Sequence, residues 1–132
     1  MTTEDILTTL YKEVNKWGLG ITTYKRVHPP VTLDENFERV VVNTLARKDG
    51  SWSEGFANVN IFVPDVSVGT HSESNFVRLK ALETIVVAKL GRGIIASVGG
   101  QQLCFSADTI GVEEDPQTYS HFINIRLQFQ FI

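Results

Sequence analysis

A single cysteine, Cys104, in 132 residues leaves the chain with no internal disulfide to rely on. It falls in a strand-like stretch, where a small buried hydrophobe is the ordinary role of a free thiol. Long apolar runs are missing as well: none approaches the roughly 20 residues that a helix needs to cross a bilayer, so no membrane span is expected. Neither charge sign dominates, with 12 basic and 15 acidic side chains and a net charge of -3. No global field therefore draws the chain to nucleic acid or to an anionic membrane. Residues 1–5 are acidic and polar, the reverse of a secretory leader, and imply a cytoplasmic protein without a signal peptide.

Chemical signatures are equally scarce. His28, His71 and His121 are the only histidines, and none has a second ligand at the spacing of a metal site. His71 and Glu73 form H-x-E without the P-C-x-x-C partner of a zinc deaminase. There is no G-x-S-x-G elbow. The pairs Gly18/Gly20 and Gly91/Gly93 follow helices rather than strands, so they read as caps and not as phosphate loops. Neither catalytic residues nor a cofactor or metal is expected.

What is present is a good core. Hydrophobic residues make up 42% and charged residues 20%, and a chain of this length buries most of its unfolded surface without staples, so 1–132 reads as one domain. Ile6, Leu7, Leu10, Tyr11, Val14 and Trp17 recur at helical spacing, with Thr2 or Thr3 to cap the start and Gly18 to stop it. A second helix follows from Phe76, Leu79, Leu82, Ile85, Val86 and Leu90, closed by Gly91 and Gly93. Between them, 21–27 suggests a short strand and Pro29-Pro30 a linker. Residues 39–47 and 56–63 suggest a hairpin with an extended tip, and 66–74 a polar crossover.

Residues 94–98 and 101–107 pair through Gly99-Gly100, and 113–117 form a solvated turn. Residues 121–132 then alternate, with Ile123, Ile125, Leu127, Phe129 and Phe131 on one side and Asn124, Arg126, Gln128 and Gln130 on the other. Short connections favour antiparallel neighbours. The expected fold is α+β, a mainly antiparallel sheet of five to six strands with both helices on one face and the last strand beneath Phe76, Leu79, Leu82 and Val86.

Two features suggest contact surfaces. The polar side of the last strand, with Asn124, Arg126 and Gln128, must face water or another subunit. At the hairpin tip, Arg47, Lys48, Trp52 and Glu54 set a large aromatic among charged turn residues, as protein interfaces do. The basic pairs Lys25-Arg26 and Arg47-Lys48 lie near Tyr24 and Trp52. Asp49 and Glu54 interrupt the second pair, which favours a solvated loop over a phosphate-tracking groove.

Several strings resemble small tail-completion or tail-terminator proteins of phages and prophages. They are the N-terminal helix, Tyr24-Lys25-Arg26 leading to a proline, 37–45 (FERVVVNTL), 58–65 (NVNIFVPD), the helix with Arg78-Leu79, and 121–127 (HFINIRL). The resemblance spans nearly the whole chain. It implies a structural virion protein, made in the host cytoplasm, that forms a ring, typically a hexamer. Such a ring sits at the head-proximal end of the tail, stops tube growth and joins the tail to the head. The implied partners are other copies of the chain, the tail-tube protein and the head connector proteins, with DNA at most passing through the lumen.

Two other classes compete. In a hot-dog thioesterase a curved sheet wraps a long helix, and His71 and Glu73, just before Phe76, would be the base-like pair. An adaptor module would instead bind a partner on its polar sheet face.

Overall fold

A computed structural model of the chain describes residues 1–45 and 54–131. The first helix, α1 (Thr3–Asn15), starts where the sequence places it: the Thr2 side chain accepts from the Asp5 N–H, and the Asp5 carboxylate accepts from the Thr2 N–H. This reciprocal capping satisfies two donors that a helix start leaves without partners. Ile6, Leu7, Leu10 and Val14 form its buried stripe, and Trp17 just beyond it is buried too.

Six strands follow in one sheet: β1 (Thr23–Lys25), β2 (Arg39–Thr44), β3 (Glu54–Pro64), then, beyond a small separate hairpin of β4 (Val66–Val68) and β5 (His71–Glu73), β6 (Ile94–Val98), β7 (Gln101–Asp115) and β8 (Ser120–Phe131). The second helix, α2 (Phe76–Leu90), joins β5 to β6. The order across the large sheet is β1-β2-β3-β8-β7-β6. β8 is therefore a central strand, paired on both sides along nearly its whole length.

Period-two alternation drives this arrangement. Val40, Val42, Ala57, Val59, Ile61, Leu103, Phe105, Ile123, Ile125, Leu127, Phe129 and Phe131 turn to one side of the sheet. There they meet Leu79, Leu82, Val86 and Leu90 of α2 and the stripe of α1 in a single hydrophobic cluster. α1 touches β1 and β2 at one end of the sheet and β6 at the other, so the sheet curls around it. The class is α+β, as expected.

The sheet is mainly antiparallel, as expected, with one parallel pair, β1 beside β2; the linker of 26–38 is long enough to return the chain to the same end of the sheet, which a tight turn could not do. Three expectations need correction. The polar segment 66–74 is not merely a crossover, since it folds on itself as β4 and β5. β7 does not stop near Ala107 but continues to Asp115, so Glu113-Glu114-Asp115 belong to a strand and the turn is the short 3-10 segment Pro116–Thr118. Finally, Phe76 does not cover the last strand: it is 71% exposed at the first turn of α2, ahead of the point where that helix reaches the core.

Candidate interaction surface

The sheet face away from the helices is a grid fixed by the ladders. Arg39, Phe62, Phe122 and Glu113 stand side by side in one row; Tyr24, Val41, Asn60, Asn124 and Gly111 in the next; Asn43, Asn58, Arg126 and Thr109 in the third. A fourth row holds Phe56, Gln128 and Ser106, and a fifth holds Glu54, Gln130 and Cys104. Three of the residues singled out from sequence, Asn124, Arg126 and Gln128, thus share this face, with exposed Glu54 at its end. Arg47, Lys48 and Trp52 lie outside the described residues.

Two pairs of polar groups meet on this face, and Arg126 Nε is buried there without a hydrogen-bond partner among the described residues. Asn124 donates through Nδ2 to Asn60 Oδ1 at 2.7 Å. Arg126 stacks 4.3 Å above the Phe56 ring, with its Nε 3.6 Å from Asp108 Oδ2, an ion pair slightly longer than a hydrogen bond. Such contacts flatten the side chains and leave an amide-rich surface. Cys104 is half-buried here rather than fully inside.

Sequence reasoning missed the strongest feature of this side. Arg39 is completely buried, its guanidinium 4.5 Å over Phe62 and 5.8 Å from Phe37. Phe62 in turn stacks on Phe122 at 4.9 Å and meets His28 at 5.6 Å. Arg39 Nη1 donates to Asn36 Oδ1 and to the Phe37 carbonyl, while its Nε and Nη2 find no hydrogen-bond partner among the described residues. Burial pulls the Arg39 pKa below the usual arginine value, and only Asp115 pulls it back. Asn36 carries the bridge onward by donating to the Thr118 carbonyl at 2.8 Å. The segment before β2 is thereby sewn across the sheet to the start of β8. In the sequence Arg39 only opens the first strand of the expected hairpin, and nothing in the local pattern marks it for burial.

The remaining chemistry-bearing groups are separate. His71 Nε2 lies 2.9 Å from Glu73 Oε1, so the two do meet, but both are more than half exposed on β5. They line neither of two clefts formed by described residues. One of these, of about 640 Å³, runs between α1 and β6 past Lys12, Glu13, Lys16 and Ile95; the other, of about 420 Å³, passes Asp34, Asn36, Asp65 and Tyr119. His121 is a rim residue, with Nδ1 2.7 Å from Asp65 Oδ1. Among the described residues no group of three or more His, Cys, Asp or Glu side chains is placed to hold a metal. No described helix is long and apolar enough to cross a membrane.

The two ends of the large sheet differ. β1 ends it on one side with three residues, the last of them Lys25, followed by Arg26. On the other side β6 pairs only with 101–105, so residues 106–115 of β7 meet β8 alone and present a free edge among the described residues.

No protein-family profile matches this sequence, and no curated protein does. One solved structure, whose name carries no functional word, aligns over 100% of this chain and 96% of its own, with a TM-score of 0.61 and 13% identity. That likeness supports the fold.

Proposed function

We propose that the chain is a structural protein of a tailed phage or prophage, a subunit of the ring that ends the tail tube at its head-proximal side and joins tail to head. The observation that carries this reading is the pair of unlike sheet ends, one short and basic at its C-terminal end, the other long and acidic. A closed ring is built from two different patches that meet head to tail. Three of the strings that resemble tail terminators fall on β2, β3 and β8, and the other three on α1, β1 and α2.

In this reading the copies form a hexamer, assembled in the host cytoplasm and carried into the virion, with DNA passing through the lumen. The amide face with Asn124, Arg126 and Gln128, and the tip with Arg47, Lys48, Trp52 and Glu54, are the surfaces offered to neighbouring subunits, the tail-tube protein and the head connector. The decisive test is electron microscopy of the purified protein mixed with tubes of its cognate tail protein. Tube ends closed by a ring are the expected result; tubes with bare ends at saturating protein would refute the reading. Trp52→Ala is expected to reduce capping while leaving the melting temperature nearly unchanged.

A further inference from the structure

We infer that the copies join by sheet extension, with the free edge of β7 at residues 106–115 receiving β1 of a neighbouring copy; this rests on the ring reading above. Three observations meet here. The first is the unpaired edge itself, a row of backbone donors and acceptors that ordinarily invites another strand. Beside it, Val112 is 48% exposed and Ile110 only partly buried, both on the side of the sheet that carries the core.

The second is level. Thr23, Val40, Ile61, Ile123 and Val112 form one row across five strands, and Lys25, Val42, Val59, Ile125 and Ile110 another. The β1 edge and the free part of β7 thus stand at the same height at opposite ends of the sheet. Direction agrees as well: β1 and β2 run one way, β3 the other, β8 back and β7 the other again. Copies related by rotation about an axis along the strands keep these directions, so β7 would meet the next β1 antiparallel and without vertical offset. Successive copies at one height close into a ring instead of climbing into a helix.

The third is charge. Residues 106–115 contain Asp108, Glu113, Glu114 and Asp115 and no basic side chain. Residues 21–28 contain Lys25 and Arg26 and no acid, although Arg26 also holds Glu4. Pairing of β7 with another β7 would set four carboxylates against four, which cross-strand repulsion opposes. The acidic edge therefore rejects its own kind and accepts β1, as a head-to-tail contact requires.

Continuing the ladders puts Tyr24 of one copy opposite Gly111 of the next, on the face away from the helices. Directly opposed residues in antiparallel strands have Cα atoms about 4.5–5.5 Å apart, within disulfide range. Inside one copy the same two positions are four strand spacings apart, roughly 19 Å along the sheet. The test uses the full chain with Cys104→Ser and the pair Tyr24→Cys and Gly111→Cys; a Cβ at Gly111 meets nothing within 4 Å. Thr22→Cys with Glu113→Cys, both at exposed positions, supplies a second pair in the same register.

Mild oxidation should convert either pair into a ladder of covalent multiples on a non-reducing gel, ending at the ring number. Tyr24→Cys with Ile110→Cys, which point to opposite faces, should give at least ten-fold less. No ladder, or equal ladders from all pairs, in a protein that still sediments as a closed oligomer would overturn this edge pairing and leave the ring reading standing. A wild-type chain that sediments only as a monomer, alone and with its tail tubes, would overturn both.

Discussion

Phe129→Ala tests the register on which every row described above depends. Phe129 is 1% exposed; it faces Phe105 on β7, with ring centroids 6.1 Å apart at 60°, and Gly55 on β3. A buried phenylalanine hides about 150–200 Å², which at about 25 cal/mol per Å² is worth roughly 4 kcal/mol, part of it retained by alanine. The void left behind adds a further cost of about 24 cal/mol per Å³ where neighbours cannot fill it. Gly55 has no side chain to move in, so little relaxation is expected from β3. The net loss should be about 3–5 kcal/mol, a fall in melting temperature of roughly 10–18 °C at an unfolding entropy of about 2.1 cal/mol/K per residue.

Gln128→Ala, one residue away on the opposite face, should stay within about 0.5 kcal/mol. A double-mutant cycle of Phe129→Ala with Phe105→Ala should return a coupling of about 0.5–1.5 kcal/mol for the tilted ring pair. Urea melts of wild type and the four variants measure all of this. Equal losses at positions 128 and 129, or additivity of the two phenylalanine substitutions, would refute the register.

Thr2→Ala should cost about 1 kcal/mol by removing the cap of α1. The carboxyl of Asp5 lies below its ordinary pKa because the Thr2 backbone N–H and hydroxyl bind its charged form, and Glu4 lies below its own because of its hydrogen bond to Arg26. Their contribution is present above the unfolded carboxylate range and fades as pH falls through the lowered folded values, so urea melts from pH 7 down to 2 should lose less stability with acid in Glu4→Gln than in wild type. Gly93→Ala should destabilise by about 1–3 kcal/mol, because φ is +100° there and a Cβ would stand 2.8 Å from the Phe105 carbonyl oxygen; Gly99→Ala, in open space at φ +56°, should cost less in the same melt. His71→Ala and Glu73→Ala should leave tube capping unchanged, and panels of acyl-CoA esters should show no turnover; hydrolysis abolished by either substitution would replace the structural reading with the thioesterase one.

The sequence discloses those elements that carry their own period. The stripe of α1, the alternation of β8, the hairpin of β2 with β3 and the Gly99-Gly100 turn are all legible, because burial on one face imposes the pattern. Phe76 misleads because it keeps the helical spacing while sitting a turn short of the core. The far half of β7 is hidden for the opposite reason: Ala107, Asp108, Thr109, Gly111, Glu113 and Glu114 are exposed, and this stretch is a strand through its pairing with β8 rather than through any face of its own. β1 is three residues long, and its parallel partner is chosen by where the 26–38 linker returns the chain. As for the surface, the polar stripe of β8 can be read directly, whereas the burial of Arg39 depends on a segment folding back over Phe62, which no local pattern announces.

The position of β8 also sets a schedule for folding. β3 and β7 are its two neighbours, and both precede it in the chain. Until β8 is available, the nascent chain holds two half-sheets with their long inner edges bare, joined in sequence by the β4–β5 hairpin and α2. The last step is then insertion of a strand between two waiting edges, with contacts that span up to about half of the sequence, so slow refolding is expected of such non-local pairing. In that interval the exposed edges of β3 and β7 are open to the β8 of another chain, which makes strand exchange at high concentration the characteristic misfolding route of this topology.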